Sequence, residues 1–159
     1  MIRHFEPIQV LEPEGRGQFQ LGPGLLAGLI AGIVLLFIPR GSPWSGISFF
    51  SSVIMGRPVP NGVFMPLTVV CLVHLLLSEI YGLLISWFVS NVTQARAVIT
   101  GAIIGLVLYV ANLAVVTVAL PAWRTNEVGV LFTHAVFGLT VGAAYRGLLK
   151  RKSAEPGHQ

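Results

Sequence analysis

The run "PLTVVCLVHLLLSEIYGLLISWFV", Pro66 to Val89, decides the fold. It is apolar almost throughout and far longer than a strand. As a helix it is long enough to cross a bilayer core, which takes about 20 residues at roughly 1.5 Å each. Yet it places His74, Ser78 and Glu79 where lipid would lie. An ionisable group at that depth costs about 3 kcal/mol on insertion scales and usually faces protein or water. The apolar run sets the architecture, and the polar groups inside it raise the functional question.

The rest of the chain agrees with a membrane solvent. Of 159 residues, 54% are hydrophobic and 10% charged, and the mean hydropathy is +0.80. A soluble domain carries about 25% charged residues, so this surface could not be dressed for water. The opening stretch, "MIRHFEPIQVLEPEGRGQFQ", is polar and mixed in charge and lacks the pattern of a secretory signal. Cys71 stands alone, which leaves no internal disulfide and no cysteine-based metal site. The basic residues are scattered and speak for topology, not for a nucleic-acid surface.

The chain is expected to be an all-α membrane protein with four transmembrane helices. The spans run over about 21–38, 66–89, 97–120 and 128–149. Residues 1–20 form an N-terminal tail and 150–159 a basic C-terminal tail. The runs are continuously apolar, which argues against the alternating strands of a barrel. Arg3, Arg16, Arg96, Arg146, Lys150, Arg151 and Lys152 fall on one side of this topology, against Arg40, Arg57 and Arg124 on the other. By the positive-inside rule both termini are cytoplasmic, as for a multi-pass protein of a bacterial inner membrane. In the first outer loop, Ser42 and Pro43 suit a helix start. Trp44, Ile47, Phe50 and Ile54 then recur at helical spacing, which predicts an interfacial helix over about 43–54 with Trp44 and Phe50 in the membrane interface.

Two segments align without gaps. His74-x3-Ser78-x3-Gly82 matches His134-x3-Gly138-x3-Gly142, and Gly28-x3-Gly32 matches Gly101-x3-Gly105. The chain therefore reads as two copies of a helix pair, related by an axis along the membrane normal. Small residues four apart leave a groove in which two backbones approach closely. Tyr109 and Asn112 share the face of Gly101 and Gly105, and Tyr145 shares that of His134, Gly138 and Gly142, so these faces should point into the bundle.

His74 and His134 lie at depths that differ by only about 3 Å at 1.5 Å per residue. The sharp reading is bis-histidine ligation of haem b between facing helices, beside glycines that make room for the macrocycle. The plain reading is hydrogen bonding across helices to Ser78, Asn112, Tyr109 or a backbone carbonyl, worth about 0.6–2 kcal/mol each. Glu79 stands about 140° around the helix from His74 and does not share its face. It is either a hydrogen-bonded glutamate against a neighbouring helix or part of a proton relay or cation site. No second carboxylate accompanies it in the spans, and the chain contains no aspartate. No hydrolytic, nucleotide-binding or metal-cluster motif is present, so no enzyme is expected.

The stretches "GLLAGLIAG", "RGSPWSGISFF", "VHLLLSEIYGLL", "GAIIGLVLYVANL" and "THAVFGLTVGAAY" resemble a family of small bacterial four-helix membrane proteins with paired histidine-containing helices. The resemblance spans Gly24 to Tyr145. It implies the fold and matches the family's histidines to His74 and His134, but it carries no activity. The expected role is therefore a non-catalytic accessory subunit of a larger bacterial membrane complex, of the respiratory or another energy-transducing kind, possessing no cofactor and contacting lipid and other membrane subunits or its own copies. A haem-bearing electron carrier and a small transporter are the alternatives.

Overall fold

A computed structural model describes residues 18–38, 64–119 and 127–154, and these form four helices without a strand among the described residues. They are α1 (Leu21–Phe37), α2 (Phe64–Val89), α3 (Gln94–Ala119) and α4 (Glu127–Ala154). The interfacial helix expected over 43–54, with Trp44 and Phe50, lies outside the described residues, as does most of the N-terminal tail. Helices α2, α3 and α4 are long and apolar enough to cross a membrane. The 17 residues of α1 amount to about 25 Å at 1.5 Å per residue, somewhat less than a bilayer core of roughly 30 Å.

The helices alternate in direction. Gln20, Ser90, Gln94 and Arg146 meet at one end of the bundle. The cations Arg96, Lys150, Arg151 and Lys152 belong to the same end, which is called the basic end here. The sequence placed the close of the last span at Leu149, with a tail after it. The helix in fact continues through the basic residues to Ala154. Lysine and arginine are good helix formers, and cations in the last turn meet the exposed carbonyls favourably. Charge therefore marks where the apolar part of α4 ends and not where the helix ends.

Packing is uneven. The closest pairs are α3 with α4 and α1 with α2, α1 also lies along α4, and α2 touches α3 and α4 more lightly. Both tight pairs depend on missing side chains. A methyl placed on Gly28 would fall 2.9 Å from the Glu79 Cα and 3.0 Å from the Gly82 Cα. One placed on Gly138 would fall 2.7 Å from the Gly101 carbonyl carbon and 3.1 Å from the Gly105 Cα. Gly105 stands against the His134 carbonyl, and Gly142 against that of Ala97. At each such position a Cα–H points toward the facing backbone, the geometry of weak Cα–H···O contacts between helices. Gly32 faces the Ser78 hydroxyl in the same way, 2.7 Å from where its methyl would be.

Around these seams lies a core of Ala27, Ala31, Leu35, Ile85, Val89, Ala97, Phe137, Val141 and Tyr145. The opposite faces are apolar and open. Leu72, Leu76 and Ile80 of α2 and Ile99, Ile103, Val107 and Val110 of α3 are all more than half exposed. In a membrane these faces meet lipid or a neighbouring protein. Trp87 and Phe88, stacked edge to face at 4.8 Å, are exposed at the basic end of α2, where an aromatic belt would sit at headgroup level.

Candidate functional site

Tyr81, Asn112 and His134 form a connected polar spine across three of the helices. Asn112 of α3 stands at its centre. Its Oδ1 accepts from the Tyr81 hydroxyl of α2 at 2.7 Å, and its Nδ2 donates to His134 Nε2 of α4 at 2.9 Å. His134 Nδ1 in turn donates to the Val130 carbonyl one turn earlier at 2.9 Å. The Thr133 hydroxyl donates to the same carbonyl at 2.8 Å. Each atom has one consistent role. A ring that donates from Nδ1 accepts at Nε2, and an amide that accepts at Oδ1 donates from Nδ2. Three helices are thereby tied through four groups.

Helix geometry explains why Tyr81 reaches this point. Side chains lean toward the N-terminus of their own helix. Helices α2 and α3 run in opposite directions, so Tyr81 leans away from the basic end and Asn112 leans toward it. The two meet although their Cα atoms lie at different heights. Tyr81 is absent from the polar residues expected to point into the bundle. Its signal was available, since Tyr81 follows His74 by seven residues and so lies close to the same face.

Tyr109 does not join the chain of hydrogen bonds as a partner of His134. Its buried ring packs edge-on against the imidazole, with centroids 5.8 Å apart at 65°. Ser78 is turned back on its own helix, donating to the His74 carbonyl at 2.7 Å. His74 addresses α1, where its Nε2 donates to the Gly32 carbonyl at 3.0 Å. The two histidines, which haem ligation would need to face each other, are turned into different interfaces, His74 toward α1 and His134 toward α3.

Glu79 differs from all of these. It is half-buried beside the α1–α2 seam. Among the described residues its carboxyl has neither a hydrogen bond nor an ion pair. No group of three or more metal-binding side chains occurs among the described residues.

A second set of polar contacts closes the basic end. Arg146 Nη1 donates to the Ser90 carbonyl at 3.1 Å, which places a cation on the carbonyl end of α2. Gln94 Nε2 donates to the Ala143 carbonyl at 3.1 Å and fixes the start of α3. The Gln20 N–H donates to the Tyr145 hydroxyl at 3.0 Å, and Lys152 Nζ donates to Gln20 Oε1 at 3.1 Å. Sequence reasoning missed Gln20, Gln94 and the role of Arg146, because polar groups at helix ends look like ordinary solvated residues. Ser86 Oγ, Gln94 Oε1 and Arg146 Nε are buried here without a partner among the described residues. Comparison with known protein families, with curated proteins and with solved structures finds no match.

Proposed function

We propose that this chain is a non-catalytic accessory subunit of a larger bacterial membrane complex, a small four-span bundle whose outer faces contact other membrane proteins. One observation carries the reading. Among the described residues His74, Ser78, Tyr81, Asn112 and His134 are engaged with one another or with backbone, whereas the Glu79 carboxyl has neither a hydrogen bond nor an ion pair. A polar group at membrane depth that its own bundle leaves unmatched points outward to another protein.

The engaged histidines bear on the haem alternative. Axial ligation uses an imidazole nitrogen, and Nε2 of both residues is already in a hydrogen bond. The nitrogen His134 leaves for a metal is held by Val130. The two rings also serve different helix interfaces. These facts favour a packing role for His74 and His134. The transporter alternative finds Tyr81, Asn112 and His134 already bonded to one another.

The internal duplication belongs to the same proposal. Gly24, Gly28 and Gly32 of α1 face Gly82, Ser78 and the His74 turn of α2. Ala97, Gly101 and Gly105 of α3 face Gly142, Gly138 and the His134 turn of α4 in the same order. Equivalent contacts at equivalent positions support two copies of one helix pair. The grouping of Arg96, Arg146, Lys150, Arg151 and Lys152 at one end supports an orientation with that end, and both termini, in the cytoplasm. With α1 as a span, the bundle crosses the membrane four times.

The test is extraction from native membranes in mild detergent through an affinity tag at the C-terminus. Integral membrane proteins recovered in fixed proportion to the tagged chain are expected. Recovery of the chain alone, or only with copies of itself, would overturn the accessory reading.

A further inference from the structure

Glu79 sits at the middle of the membrane. The apolar span of α2 covers Thr68–Val89, and Glu79 lies about 16 Å from one end and 15 Å from the other at 1.5 Å per residue. Its neighbour across the seam gives the same depth. The Glu79 Cα lies against Gly28, one residue from the centre of the Leu21–Phe37 helix. The carboxyl therefore cannot reach either interface.

Around it the surface of α2 is leucine-rich. Leu75 and Leu83 flank Glu79 one turn to either side and are half-buried. Leu72, Leu76 and Ile80 continue the same side and are exposed at 63%, 59% and 51%. These side chains offer no path for water to a carboxyl at that depth. The group is neither sealed in the bundle nor placed to be hydrated, so its match must come from a neighbouring helix.

The chain's own composition narrows that neighbour. The lysines and arginines of the described helices are Arg96, Arg146, Lys150, Arg151 and Lys152, all at the basic end. A second copy packed in the same orientation would bring leucines and another carboxyl to this point, not a cation. His74 and His134 are committed elsewhere. Charge complementarity then selects a different chain.

We propose that Glu79 and the leucine face around it are the docking site for a transmembrane helix of a partner protein, one that carries a lysine or arginine at the same mid-membrane depth. The proposal rests on the accessory-subunit reading and names the chemistry of the partner. A cation at the bilayer centre carries the same burden as the carboxyl, and pairing relieves both. The leucines supply the packing, and the ion pair fixes the depth and rotation of the incoming helix.

The test uses the full chain in native membranes. A photoreactive residue replaces Leu76 or Ile80, and the tagged chain is recovered before and after illumination. The expected crosslink goes to a transmembrane helix with a lysine or arginine within one turn of its centre. Glu79→Lys should lower recovery of that partner at least tenfold, and Glu79→Gln several-fold. Glu79→Lys paired with an acidic residue in place of the partner's cation should restore it. Glu79→Leu serves as the folding control. The isolated bundle should unfold no more easily than the unchanged chain, because the Glu79 carboxyl makes no hydrogen bond or ion pair among the described residues. A crosslink to a second copy of this chain overturns the choice of occupant. So does a partner helix without a central cation. A partner whose recovery is unchanged in Glu79→Lys and which is not reached from positions 76 or 80 overturns the docking site while leaving the accessory reading intact. Absence of any partner from the unchanged chain overturns the accessory reading itself.

Discussion

Replacing Gly138 with alanine tests the claim that close backbone approach holds α3 and α4 together. The added methyl carbon would lie 2.7 Å from the Gly101 carbonyl carbon and 3.1 Å from the Gly105 Cα. Carbon atoms at rest stand about 3.5–4.0 Å apart. Both obstructing atoms are backbone, so no rotamer change relieves the clash and the helices must part by roughly 1 Å. That gap weakens the dispersion contacts along the seam, and overpacking of this kind costs about 1–3 kcal/mol. Gly147 on the same helix supplies the control, because a methyl there meets nothing within 4 Å. Gly147→Ala should be neutral or stabilise by up to about 1 kcal/mol through helix propensity. The assay is reversible unfolding in mixed micelles, followed by circular dichroism, with both variants measured beside the unchanged chain. A Gly138→Ala bundle as stable as the Gly147→Ala bundle would refute the seam.

The remaining predictions concern the polar groups. Asn112→Leu leaves the Tyr81 hydroxyl and His134 Nε2 without their partners and should destabilise the bundle by about 1–2 kcal/mol. A double-mutant cycle with His134→Leu should give a coupling of about 0.6–1.7 kcal/mol, and a coupling of zero would break the spine. His74→Leu should cost about 0.6–2 kcal/mol and weaken the α1–α2 pair, which disulfide trapping between cysteines on those helices would register. Arg146→Gln removes the cation from the Ser90 carbonyl, so amide exchange should quicken around Ser90–Gln94 and stay unchanged near Asn112. Orientation can be read with Lys152→Cys in a Cys71→Ser chain. An impermeant maleimide should label it only when the cytoplasmic face is open.

The helices were legible because a bilayer offers the backbone no hydrogen bonds, so a long apolar run has to be helical. The glycine seams were legible for a related reason. Gly28, Gly101, Gly105, Gly138 and Gly142 have no side chain to compete with the backbone, and their four-residue spacing already describes the groove. The partners of the histidines were not legible to the same degree. A face on one helix says that a residue points inward but not which neighbour it meets. His74 and His134 occupy matching positions in the sequence, yet one bonds a glycine carbonyl and the other an asparagine amide. The difference arises because α4 is reached by Asn112 from α3, with Tyr81 behind it, whereas α1 meets His74 through the Gly32 carbonyl. Tyr81 itself escaped notice because its contact crosses helices at different heights. Glu79 was visible as an anomaly, but only the satisfied state of its neighbours shows how far it stands apart.

The contact between α1 and α4 has a consequence for how the protein is made. The first described helix is completed by the last described one, through Gln20 on Tyr145 and Lys152 on Gln20. At translation rates of about 5–20 residues per second, α1 waits on the order of ten seconds before α4 exists. During that interval the α1–α2 pair is held by its own glycine seam and the His74 bond, without the contacts that α4 later supplies. The first pair is thus a nascent intermediate that has to persist alone, and its seam acts as a temporal safeguard as much as a structural one.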